Sequence, residues 1–220
     1  MTNALPTVIA DDEPPVARTT TRRRQETRTR EARERILTAA IDVLRRRGYS
    51  GLTTKEVAAS AAVSNGALMH HFATKAELVV AATELVYDEA LERGSRVAAS
   101  PEAMADPLDG FIRDCTGVYF DWPFVAALEV IVVARTDTEL MTRIRPVMER
   151  YREVTNARWL AVFRESGQSE AAATQVLNLT LNLIRGMGVN CLWHRDDDYY
   201  RDNIDQWKSL ARGILSCRPA

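Results

Sequence analysis

From about residue 28 onward, apolar side chains recur at the three- and four-residue spacing of helices. Ile36, Ala40, Val43 and Leu44 form one face of a first helix. Gly48 ends it, with Arg45, Arg46 and Arg47 at the negative end of its dipole. Thr53 and Glu56 have capping-box spacing and open a second helix whose inner side is Val57, Ala58 and Ala61. Val63 marks a turn, and Ser64 caps a third short helix that turns Leu68 and Phe72 inward. Thr74 and Glu77 repeat the capping box and start a long helix with Leu78, Ala81, Ala82 and Leu85 on one side. Asp106-Pro107 and Trp122-Pro123 open helices that run to about residues 119 and 135. Residues 138–166 form one helix or two, because Pro146 should kink or split them. Ser169 starts an apolar helix to about His194, and a last helix follows over 199–216. Alternating β-branched runs are missing, so the pattern predicts an all-α fold of about nine helices.

Composition narrows the class. The chain has 220 residues, 46% hydrophobic and 27% charged, which suits one or two globular domains. Cys115, Cys191 and Cys217 cannot pair evenly, so a disulfide scaffold is excluded and a reducing compartment is expected. No apolar run approaches the ~18 residues of a membrane span, and the N-terminus lacks a signal-peptide pattern. The expectation is a cytoplasmic protein with no membrane partner.

Charge is partitioned along the chain. Residues 1–75 carry 13 Lys and Arg against 8 Asp and Glu, whereas residues 76–220 carry 16 against 22. Asp11, Asp12 and Glu13 form an acidic head, and eight arginines follow between Arg18 and Arg35. A basic module on an acidic remainder suggests that one end meets a polyanion. Residues 1–27, with Pro6, Pro14 and Pro15, read as a disordered basic arm. Residues 28–75 and 76–220 read as two further units.

The two short helices have helix-turn-helix dimensions. The first buttresses the second, Val63 plugs the turn, and the second offers its N-terminal side to a major groove. With Leu68 and Phe72 inward, Ser64, Asn65, Gly66, Ala67, Met69 and His70 remain for the groove. Gly66 and Ala67 allow close approach, and Asn65 suits an adenine edge. Thr54, Lys55 and Lys75, near helix starts, are placed to meet phosphates.

Residues 36–77 resemble the DNA-binding domain of the TetR family of transcriptional regulators. The matching features are Ile36-Leu37, Ala39-Ala40, Gly48-Tyr49, Thr53-Thr54, Val57-Ala58, Val63-Ser64, Gly66, Leu68, His71-Phe72 and Lys75-Ala76-Glu77-Leu78. Two positions depart from the family pattern. Ala62 stands where Gly is usual, and Met69 where a phosphate-binding Tyr is usual. Met69 suits an apolar contact such as a thymine methyl. The resemblance implies a homodimeric regulator, usually a repressor, that reads a palindromic double-stranded DNA operator. It implies a helical C-terminal ligand-binding and dimerisation domain, and release by a small-molecule inducer. It places the dimer interface on 169–194 and 199–216. The apolar stretch Val176–Ile184 fits a covered face, and Gly186-Met187-Gly188 would let another backbone approach.

The resemblance also places an effector site between residues 106 and 194. Trp122, Phe124, Trp159, Phe163 and Met187 are candidate walls or plain core. Asn178, Asn182 and Arg185 share one side of an apolar helix and need partners. Those partners are a ligand, a second subunit or an acidic neighbour. An apolar or aromatic inducer with one anionic or carbonyl group suits them.

Two other classes compete, a helical interaction module and a metal-dependent enzyme using His194 with Asp196, Asp197 and Asp198. Those aspartates also suit a helix-opening turn. His70-His71 diverge on a helix, and no phosphate loop, CxxC, HExxH or GxSxG is present. The reading is therefore a regulator without cofactor or metal, not an enzyme. A redox-sensing role for Cys217 is a further alternative.

Overall fold

The computed structural model describes residues 16–216, with ten helices and no strand among them. The acidic head and Cys217 lie outside the described residues. Helix α1 spans Val16–Gly51, so residues 16–27, expected as a disordered arm, are helical. The helix breaks at Gly48, where φ is 66° and ψ is 179°, a combination open almost only to glycine.

Helices α2 (Thr54–Ser60) and α3 (Asn65–His71) follow their sequence signals closely. The Thr53 hydroxyl accepts from the Glu56 amide, and Ser64 Oγ accepts from the Ala67 amide. Only half of the first capping box forms. The Glu56 carboxylate instead meets Arg46 and Arg47 at 3.9 and 3.5 Å. At the start of helix α4 (Lys75–Ala98) the Glu77 carboxylate reaches back one residue past the Thr74 cap. Thr74 Oγ1 accepts from the Glu77 amide, while Glu77 Oε2 accepts from the Ala73 amide at 2.8 Å.

The turn between α2 and α3 has a specific geometry. Val63 N–H donates to Ala58 O, and Ala62 N–H donates to Ala59 O. These bonds make a Schellman motif, which places Ala62 in the left-handed region at φ 54°. Gly167 occupies the equivalent position after α8, at φ 85°.

The remainder is a helical bundle: α5 (Pro101–Ala105), α6 (Pro107–Tyr119), α7 (Trp122–Ala134), α8 (Thr138–Glu165), α9 (Glu170–Asn190) and α10 (Asp197–Ser216). The short α5 was not expected. Its signal, Ser100 capping ahead of Pro101, has the same form as Asp106-Pro107. Helix α8 is continuous through Pro146, which faces solvent, so water can satisfy the carbonyl that proline leaves free. Helix α9 stops at Asn190, short of His194, where the Leu192 and Trp193 amides turn to three-residue bonds onto the Val189 and Asn190 carbonyls.

Helices α4, α6, α8 and α9 enclose a core around Phe111, Trp159, Phe163, Leu177 and Ile184. Trp159 Nε1 donates to Asp114 Oδ2 at 2.8 Å within it. Trp207 Nε1 donates to the buried Thr180 hydroxyl at 2.8 Å and holds α10 against α9. No single described helix is long and apolar enough to cross a membrane.

Candidate functional site

The first candidate surface is α3. Leu68 and Phe72 are buried, while Ser64, Asn65, Gly66, Ala67, Met69 and His70 are all exposed. The sequence-derived set therefore occupies one continuous outer face. Lys55 is exposed and Thr54 half-buried at the start of α2. Lys75 is also half-buried, with Nζ 4.5 Å from the centre of the Tyr49 ring. Burial lowers its pKa. Arg33 stacks at 5.3 Å on the Phe72 ring and joins α1 to the end of α3.

The second candidate is a chamber of about 390 Å³ in the helical bundle. From α7 come Phe124, Ala127, Leu128 and Ile131. Helices α4 and α6 give Tyr87 and Tyr119, and α9 gives Arg185, Gly186 and Val189. Met148, Glu149 and Arg152 of α8 complete the lining. Arg185 Nη2 donates to the Tyr119 hydroxyl at 3.1 Å, and its guanidinium lies 5.2 Å from that ring's centre. Burial raises the Tyr119 pKa, and the Arg185 charge opposes the rise.

Phe124 and Arg185 thus line the chamber, but the other candidate walls do not. Trp159 is committed to the core through Asp114, and Phe163 faces a separate recess beside Asp106 and Arg212. Trp122 packs under the Arg45 guanidinium, and Met187 is buried elsewhere on α9. Asn178 and Asn182 are exposed on the outer side of α9. Helical spacing located the shared stripe, but Arg185 reaches inward across its edge. Tyr87, Tyr119 and Ile131 were missed. Each looks like ordinary core on its own helix, and only helix packing leaves space beside them.

Gly188 has a different role from the one expected. A Cβ there would collide with the Tyr119 carbonyl, so this glycine admits a neighbouring helix of its own chain. The Asp196–Asp198 cluster opens α10: Asp196 Oδ1 accepts from the Tyr199 amide, and Asp198 pairs with Arg201. Among the described residues, no three His, Cys, Asp or Glu side chains are grouped to hold a metal ion.

Comparisons with known proteins identify the family. The family model described as "Bacterial regulatory proteins, tetR family" matches residues 36–82. The HTH-type transcriptional regulator CymR of Pseudomonas putida is 35% identical over 188 residues, covering 86% of this chain and 93% of CymR. The chain belongs to the TetR family. It is a DNA-binding transcriptional regulator, not an enzyme. A transcriptional regulator from Rhodococcus sp. Rha1 shares the fold, with TM-score 0.65, 22% identity and coverage of 85% of this chain and 99% of that one. The multidrug binding protein EbrR, solved with ethidium, aligns at TM-score 0.57 and 25% identity, covering 80% of this chain and 98% of EbrR. The TetR-family match includes α2, α3 and the turn at Ala62.

Proposed function

We propose that this TetR-family regulator is a homodimeric repressor that releases a palindromic operator when a small molecule fills the chamber. The supporting observation is the exposed face Ser64–His70 on one unit and an apolar chamber in the other. Residues 28–75 read DNA, and residues 76–220 bind ligand and dimerise. Ser64, Asn65, Gly66, Ala67, Met69 and His70 enter the major groove, flanked by Thr54, Lys55 and Lys75 at the backbone. Two such faces must reach successive grooves about 34–36 Å apart, which a twofold dimer provides. Helices α9 and α10 form the interface. Leu179, Trp193 and Leu210 are exposed there in the single chain, beside Asn178 and Asn182. The protein acts in the compartment that holds the DNA.

The ligand has an apolar or aromatic body and one anionic or carbonyl group. EbrR, holding ethidium, supports the view that this fold accommodates aromatic molecules. Binding favours a conformer whose reading faces are wrongly spaced, so DNA must weaken ligand binding by the same factor. The test is a footprint on DNA flanking the protein's own gene, with the mass of the complex measured by light scattering. A symmetric footprint with two chains bound is expected. An asymmetric or absent footprint at physiological salt, or a single bound chain, overturns the reading.

A further inference from the structure

We infer that the chamber accepts a small aromatic carboxylic acid as its anion, with the Arg185 guanidinium as the group that holds the carboxylate. The inference rests on the chamber being the effector site proposed above.

Arg185 is half-buried on α9. Its partner in the fold is neutral: the Tyr119 hydroxyl and ring, with no carboxylate among the described residues paired to it. The buried acid nearby is otherwise engaged. Asp114 accepts from Trp159 Nε1, and its charge is met by Arg158 and Arg93. At the chamber's edge Glu149 and Arg152 are both exposed and carry opposite charges. The lining therefore holds one net positive charge, and that charge sits at Arg185. A cation held partly out of water beside apolar walls is costly until an anion pairs with it.

The match to one chemical class follows. A monoanion cancels the charge, whereas a dianion leaves an excess and a cation is repelled. A neutral carbonyl accepts the same hydrogen bonds but leaves the charge unpaired. A planar carboxylate fits the guanidinium fork. The buried Tyr87 side chain also faces the chamber, and its hydroxyl has no hydrogen-bond partner among the described residues. It supplies a second donor. Phe124, Leu128, Ile131 and Val189 provide apolar surface for a ring. A chamber of about 390 Å³ suits one or two fused rings rather than a long acyl chain.

Calorimetric titration of the full chain without DNA tests this, using 2-naphthoate against 2-naphthamide and benzoate against benzamide. Each acid is expected to bind at least about tenfold more tightly than its amide. Arg185→Met should bring the acid to the amide's affinity and leave the amide within about twofold. Arg185→Lys should keep part of the preference. Equal binding of acid and amide by the unaltered protein overturns the inference, and that comparison needs no variant. An acid preference that survives in Arg185→Met also overturns it. If neither acid binds while the protein still footprints its operator, the ligand class fails and the regulator reading stands. If the acids bind through Arg185 and no operator is found, the ligand class stands and the homodimeric-repressor reading fails.

Discussion

The Tyr49 amide donates to Glu129 Oε2 at 2.7 Å, tying the end of α1 to the helix that walls the chamber. The bond depends on the backbone break at Gly48, where a Cβ would collide with the same carboxylate. Lys75, at the start of α4, covers the other side through the Tyr49 ring. Phe124, Leu128 and Ile131 are on the same helix as Glu129 and line the chamber. A ligand that shifts α7 therefore pulls on the base of the reading domain. Glu129→Ala should leave operator affinity within a few-fold while weakening ligand-driven release, seen by gel shift with and without ligand. Glu129 is exposed, so the stability loss should be no more than about 1 kcal/mol. An unchanged ligand response would remove this route.

Ala62 occupies a left-handed position that its counterpart in the same motif, Gly167, fills without a side chain. The left-handed conformation costs an L-residue about 1–2 kcal/mol, partly offset by glycine's greater freedom when unfolded. Ala62→Gly should raise stability by up to about 1 kcal/mol in urea denaturation, with operator affinity unchanged. A loss of stability would show that the alanine methyl has a packing role.

Asp114 is buried, and burial raises its pKa above the ordinary 3.8, against the opposing bond from Trp159 and the charges of Arg158 and Arg93. The folded chain therefore binds this proton more tightly than the unfolded chain. Its contribution to stability is greatest below the ordinary carboxylate range and is lost as pH rises through the folded value. Asp114→Asn keeps an acceptor for Trp159 Nε1 and should flatten that part of the stability–pH curve. Chemical denaturation at several pH values measures it, and an unchanged slope would place the dependence on another group.

Gly186 lines the chamber, and a Cβ there meets no atom within 4 Å. Gly186→Leu should fit the helix and occupy the cavity. Ligand titration should then lose its heat while the footprint persists. By contrast, Gly188→Ala forces α9 away from the Tyr119 carbonyl and should cost about 1–3 kcal/mol.

The helical Arg-rich start of α1 supports a second contact with DNA. Deleting residues 1–27 should weaken operator binding and reduce its dependence on salt, since fewer phosphates are neutralised. Binding measured across a salt series gives the slope, and an unchanged slope would assign the arginines no part in DNA binding.

Most of the reading domain was legible because its signals are local. Thr53, Ser64 and Thr74 cap within three residues, and Leu68 and Phe72 lie one helical turn apart. The start of α1 was misread because arginine and threonine lack apolar periodicity, although neither forbids a helix. The chamber was only partly legible. Arg185 stood out as a charge in an apolar stretch, but Tyr87 and Tyr119 were indistinguishable from core. A cavity is space left by helices distant in sequence, and no single stretch records it.

Asn182, Arg185 and Gly186 lie within about one turn of the same rigid rod. Arg185 points to the chamber, and Asn182 lies on the outer side of α9 that the proposed dimer would cover. In the proposed dimer, a molecule that tugs Arg185 in one half would therefore nudge the seam, and its twin would inherit the disturbance. Filling the first site should change the readiness of the second, giving a dose curve that departs from a simple hyperbola.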